Sequence, residues 1–394
     1  MANLLDSASI LLTPTAYNNG SILAIQPSDG SGDFTFSRGS SATRVNEQGL
    51  IEDIASNLPR IDYTDGTGSL LLEPQSTNGL NYSEPTSSET SAGGITYESF
   101  NWAIGFTNCI KFGDNSQTRY RYFTGTIANS TEYTVSAFVI MDDLSEPILG
   151  TASNNGDLIF RVGGQSASNG NLPNVNMGNN IYRVSSVVTS GSVGGSTGLL
   201  KYAGQSNKGF RIVGFQVEQN SYATSYIPTQ GASSTRLADI ANNSGNASLI
   251  NSEEGVLYAE ISALANGGVA PISINDGTSS TNNSITFSYS QATNRLDING
   301  KVGGSFQFLF NRTIADITIN HKFAVVWKVN RFELWVDGIM TDQDLLGSVN
   351  SANTFTKLQL SNTNTTKPFY GNVKALAIYK TALTDEQLTL LTTI

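Results

Sequence analysis

A chain with one histidine and one cysteine has few ways to make a nucleophile. In 394 residues His321 is the single imidazole and Cys109 the single thiol. A Ser-His-Asp arrangement would have to be built around His321, at a position that begins a strand. Cys109 lies in an apolar run and reads as a small core residue; alone it supports neither a disulfide framework nor a thiolate metal cluster. Glycoside hydrolysis asks for less, two carboxyl groups roughly 5–10 Å apart. The acids on offer are Glu333, Asp337, Asp342 and Asp344 near the C-terminus and Asp142, Asp143 and Glu146 in the middle. Most sit in turn contexts, where Asp is expected anyway. Asp337, Asp342 and Asp344 are also the hard oxygen donors that Ca²⁺ prefers, but no fixed-spacing motif accompanies them, so no metal site is assigned and calcium rests on donor chemistry alone. Sugar binding uses aromatic faces with amides and carboxylates beside them, and its candidates here are Trp335, Trp102, Tyr120 and Tyr122; a place in a core or a subunit interface is the competing reading for each. No glycine-rich phosphate loop or dinucleotide fingerprint occurs.

These residues need elements to hold them, and the best defined is Lys322–Met340, KFAVVWKVNRFELWVDGIM. Its alternation on either side of Asn330-Arg331 predicts a β-hairpin. With those two residues as the loop, Trp327 faces Leu334, Val325 faces Val336 and Lys328 faces Glu333, while Trp335 lies on the opposite face beside Val326. Asp337-Gly338 ends the second strand. Composition agrees with a β-rich chain: 39% hydrophobic and 14% charged residues, with 38 glycines. The fold class expected is all-β, tandem antiparallel β-sandwiches of jelly-roll type after an irregular N-terminal module, with one short C-terminal helix at Leu383–Thr392 capped by Thr384 and Gln387.

Net charge is −10 and no Lys/Arg run could neutralise successive phosphates, so nucleic acid is not an expected partner. The N-terminal residues lack the basic start and apolar core of a secretory signal, and no window reaches the ~18 apolar residues of a membrane span. Synthesis and folding in a cytoplasm, with no membrane partner, are the expectation.

In chain order, residues 1–78 carry only short apolar stretches, such as Ile10–Leu12, Phe34–Phe36 and Leu70–Leu72, which bury little surface alone and call for a neighbour or partner subunit. Residues 79–231 show alternating runs at Cys109–Phe112, Tyr120–Thr124, Tyr133–Met141, Asp157–Val162, Tyr182–Thr189, Gly198–Tyr202 and Phe210–Glu218, a sandwich pattern. Gly214 breaks the last run and marks a bulge. Residues 232–252 form a linker, and 253–394 the last domain. Gly39–Val45 (GSSATRV) echoes Gly231–Leu237 (GASSTRL), and both read as connectors between domains.

Three resemblances follow from these residues. The hairpin closing in Val336-Asp337-Gly338, with GVLYAEISAL before it and FYGNVKALAIYK after it, resembles laminin-G-like and concanavalin A-like jelly rolls. Gly209–Pro228, with its Gln-x-Glu and Ala-Thr-Ser-Tyr-Ile-Pro, resembles the exit of carbohydrate-binding-module-like jelly rolls. Phe36–Glu52, followed by Ser69–Asn78 (SLLLEPQSTN), resembles an N-terminal module of bacteriophage virion proteins.

The last resemblance implies a non-enzymatic structural protein of the virion, anchored to other head or tail proteins through residues 1–78. The sandwiches would be displayed as a tail or fibre adhesin for host-surface glycans. A homo-oligomer, a trimer in a fibre, would add avidity. A head-decoration protein without sugar binding and a polysaccharide depolymerase are the alternatives.

Overall fold

The central hairpin forms with its turn one residue earlier than the sequence suggests. The computed structural model describes residues 4–13, 16–86, 95–114, 118–151, 156–167, 170–191, 196–201 and 208–394. In it Trp327 pairs with Phe332, Val325 with Leu334, and Phe323 with Val336. The loop is Val329-Asn330, and Asn330 takes the positive φ of 56°. Asn tolerates the left-handed region and Arg does not, so the chain turns where Asn can occupy it. Lys328 therefore faces Arg331 rather than Glu333, and Trp335 faces Ala324 rather than Val326. The register moves by two, an even number, so every side chain keeps its expected face.

Around this hairpin a sheet runs in the order 339–344, 331–336, 321–328, 254–263, 371–379, 69–72, 61–62, with Ile10–Leu12 also paired to 371–379. Residues 1–78 thus find their neighbour in the C-terminal domain. Ile10, Leu12, Leu70 and Leu72 enter the same core as Phe323, Trp327 and Phe332. The opposing sheet is ordered 305–313, 295–302, 284–289, 270–275, 357–359. Stacking of Phe308 on Phe332, with ring centroids 4.8 Å apart, joins the two layers. The outer face of the larger sheet is covered by the helix Asp385–Thr392, the α-helix of the described residues. Its capping box is the expected one: the Thr384 side chain accepts from the Gln387 N–H and the Gln387 side chain from the Thr384 N–H. No helix among the described residues is long and apolar enough to cross a membrane.

The middle sandwich packs a six-stranded sheet, ordered 95–99, 108–112, 210–218, 132–141, 182–189, 175–176, against a four-stranded one, ordered 119–123, 197–201, 159–162, 165–166. Its core, with Phe112, Val135, Phe160, Val184 and Phe215, comes from the alternating runs read in the sequence; Tyr202, the expected end of one run, lies outside the described residues. Gly214 does carry a bulge: the pairing shifts between Ser136 and Phe138, and its φ is 67°. A Cβ there would meet the Phe138 ring at 2.5 Å. Gly214→Ala is expected to cost about 2–4 kcal/mol, from the left-handed backbone and the clash together, read as a lowered urea midpoint. An unchanged midpoint would contradict it.

Cys109 is fully buried beside Trp102 and Phe138. Burial, with Glu98 adding, pushes its thiol up to about 12. Thiolate reagents are expected to label it only as the chain unfolds. Stoichiometric labelling in native buffer would show that the site opens.

Candidate functional site

The strand Arg119–Phe123 is an edge strand of the four-stranded sheet, and alternation sends Tyr120 and Tyr122 to the face away from the core. Their rings stack, with centroids 4.8 Å apart and planes 24° from parallel. Tyr120 is 37% exposed. Across the sheet Tyr122 pairs with Gly198 and Gly198 with Arg161, so the glycine forms a floor between a phenol and a guanidinium. A Cβ on Gly198 would stand 1.9 Å from the Arg121 carbonyl oxygen, so the floor stays bare. Arg161 Nη1 reaches over it to the Tyr122 hydroxyl at 3.5 Å, while its Nε is buried without a partner. An aromatic face, two phenols and the Arg161 guanidinium beside them make a surface suited to sugar C–H groups and hydroxyls. Arg161 was absent from the sequence reading. Alternation places it outward, but the pairing through Gly198 is not visible in the chain.

The two tryptophans lie elsewhere. Trp335 is buried beneath the C-terminal helix among Tyr258, Leu388 and Leu391, and its indole N–H donates to Glu333 at 2.9 Å. The face it occupies is the expected one, but helix and N-terminal turn cover it. Trp102 is buried with Phe106, Cys109 and Tyr226 against the outer face of the six-stranded sheet. Neither offers a ring to a ligand.

The titratable candidates other than Asp342, whose Oδ2 is buried without a partner, are occupied structurally. His321 Nδ1 lies 2.6 Å from Asp337 and Nε2 2.6 Å from the Asp316 carbonyl, which leaves no ring nitrogen for a serine. Glu333 is held by Arg331, Trp335 and Gln343. Asp142 pairs with Lys111 and Arg211, Asp143 with Lys208, and Glu146 accepts from Asn174. Asp344 caps the Leu346 N–H and Asp337 also takes the Lys322 N–H. Among the described residues no group of three His, Cys, Asp or Glu could hold a metal ion.

The motifs at 36–78 and 209–239 meet in a buried ionic joint that links all three parts of the chain. Arg60 Nη1 donates to Glu73 at 2.7 Å, to Ser225 at 2.7 Å and to the Thr43 carbonyl at 3.0 Å, and its Nη2 to Asp239. Arg38 donates to Asp239 at 3.0 Å, and Arg236 to Ser225 at 2.9 Å and the Pro74 carbonyl at 2.6 Å. Glu218 collects Ser76, Gln216 and Thr224. Burial raises the Glu73 pKa, but Arg236, Arg60 and Ser225 outweigh it and hold the carboxyl at about 2. The two echoing connectors differ in role: Arg236 is buried in this joint, whereas Arg44 pairs with half-exposed Glu52.

Comparison with solved structures gives partial likenesses. The carbohydrate-binding module CBM40 of the Ruminococcus gnavus IT-sialidase, bound to α2,3-sialyllactose, matches with TM-score 0.33 and 13% identity over 38% of this chain and 93% of that one. A native heptameric SAP-like pentraxin from Limulus polyphemus matches with TM-score 0.28 and 16% identity over 36% and 70%. The NanB sialidase of Streptococcus pneumoniae matches with TM-score 0.32 and 13% identity over 37% of this chain and 25% of that one. No family model and no curated protein matches.

Proposed function

We propose that this chain is a non-catalytic adhesin that binds glycans through Tyr120, Tyr122 and Arg161 and works as part of a bacteriophage virion. The observation that carries the binding is the exposed, stacked tyrosine pair beside the Arg161 guanidinium. Support for the virion comes from sequence, the runs Phe36–Glu52 and Ser69–Asn78. Because Arg38 and Glu73 of these runs, and Arg60 between them, are committed to the buried joint, contact with other virion proteins falls to exposed residues of the same module, Ile25 and Leu50 among them. Several copies, a trimer in a fibre, would turn weak sugar contacts into stable adhesion. Support for a non-catalytic role lies in His321, Glu333, Asp337, Asp344, Asp142, Asp143 and Glu146, engaged as described above; the buried Asp342 Oδ2 has no protein partner.

A second reading, a head-decoration protein without sugar binding, is favoured by one feature. Ile339, Met340, Leu345 and Leu346 leave an exposed apolar run at an edge of the larger sheet, the kind of surface a protein partner covers. Screening the purified chain on a glycan array, with reducing-sugar release followed in parallel, separates the readings. The adhesin binds and releases nothing; a depolymerase releases sugar; absence of both supports decoration.

A further inference from the structure

The face of the six-stranded sheet that carries Phe138 and Arg183 does not pack completely against the rest of the molecule. Between it, the 43–73 segment and the C-terminal sandwich lies a cavity of 570 Å³. That is the size of a small-molecule site, and junctions between domains are where such sites form. Phe138 and Arg183 are cross-strand partners, and the guanidinium lies over the Phe138 ring, 5.6 Å from its centroid.

The ionic groups of the cavity wall are nearly all neutralised within the protein. Glu73 meets Arg60 and Arg236, Arg44 meets Glu52, and Lys374 meets Asp65. Arg183 and Asp62 are the exceptions, and Arg183 is the cation. Arg183 donates to Ser136 at 3.2 Å, makes no ion pair among the described residues, and has a buried Nε without a partner. Its charge persists, since a guanidinium is not deprotonated in proteins. Burial pushes its pKa down and Glu218, Glu73 and Asp62 oppose that. An unpaired cation in a partly desolvated pocket calls for an anion.

Two acceptors belong to residues of the same wall. Asn320 Oδ1 is buried without a partner, its amide nitrogen being held by Glu260 at 2.9 Å. Asp62 accepts one peptide N–H on each oxygen, from Val45 at 2.8 Å and Thr64 at 2.9 Å. A carboxylate so held is stabilised without a counter-ion and keeps a lone pair on each oxygen for a hydroxyl. Apolar wall is supplied by Met177 and Ile319. One cation, two acceptors that want O–H donors, and apolar wall together describe a polyhydroxylated carboxylate. We infer that this cavity is a second binding site, distinct from the tyrosine surface, for an acidic sugar residue whose carboxylate pairs with Arg183 and whose hydroxyls donate to Asn320 and Asp62.

The site does not depend on the tyrosine reading, because Tyr120 and Tyr122 belong to the other sheet of the sandwich, on its outer face. The test is saturation-transfer NMR on the full chain with D-glucuronate and, as the uncharged match, D-glucose, at millimolar concentration. Glucuronate is expected to bind saturably and glucose about tenfold more weakly or not at all. Arg183→Gln is expected to weaken glucuronate by at least about tenfold. Because that side chain also packs on Phe138, a second variant guards against misfolding: Met177→Trp fills the cavity from its wall and should exclude glucuronate while the circular dichroism spectrum stays native. Absence of saturable glucuronate binding overturns the inference. So does equal binding of the two sugars, or full retention of binding by folded Met177→Trp.

Discussion

Asp239→Asn is expected to lower the unfolding free energy by about 3–5 kcal/mol, the largest effect of any conservative substitution in this chain. Asp239 is fully buried and accepts from Arg38, Arg60 and the Glu73 backbone N–H, on both of its oxygens. An amide in its place keeps the shape but turns one acceptor into a donor facing a guanidinium, and a buried charge loses its partner. Replacement of the whole joint at once with apolar groups need not be so costly, since desolvation of the ions is then avoided as well. Urea unfolding of the wild-type and variant chains reads the difference; a loss below about 1 kcal/mol would mean that solvent reaches the joint.

The same joint sets an acid limit. Glu73 has its ordinary carboxyl pKa near 4.5 in the unfolded chain and about 2 in the folded one. A depressed folded pKa contributes stability that is fully present above pH 4.5 and is lost as pH falls toward 2. The expected loss across that window is roughly 3 kcal/mol, and Glu73→Gln should remove the pH dependence along with the stability.

Tyr120→Ala with Tyr122→Ala is expected to abolish glycan binding with little effect on the fold. Aromatic residues at the centre of a contact carry at least about 2 kcal/mol each when truncated, so the pair should account for roughly a thousandfold in affinity. Removing exposed rings from an edge strand costs little by comparison, within about 1 kcal/mol for the two. That contrast makes the double variant informative, since loss of binding would not be confused with loss of structure.

The sandwiches were legible because alternation is local. Tyr182–Thr189 and Phe210–Glu218 have the bounds read from the sequence, and the hairpin kept its faces although its turn moved to suit Asn330. The stacked tyrosines were legible for the same reason, being two apart on one strand. Exposure was not legible. Trp335 has the alternation of an outward residue, and only the helix that ends the chain, with the N-terminal turn, makes it a core residue. The joint was hidden by sequence distance: Arg60 lies 179 residues from Asp239 and 165 from Ser225. Its one local sign is Glu73 directly after the buried run Leu70–Leu72, a charge where a strand should be leaving the core.

The central claim is that the tyrosine surface binds glycan, and isothermal titration tests it most directly. The best array ligand is titrated into the full wild-type chain and into the chain carrying Tyr120→Ala and Tyr122→Ala. Saturable binding is expected for the first and no measurable binding for the second, with nearly unchanged urea midpoints. Equal affinity in the two chains would contradict it.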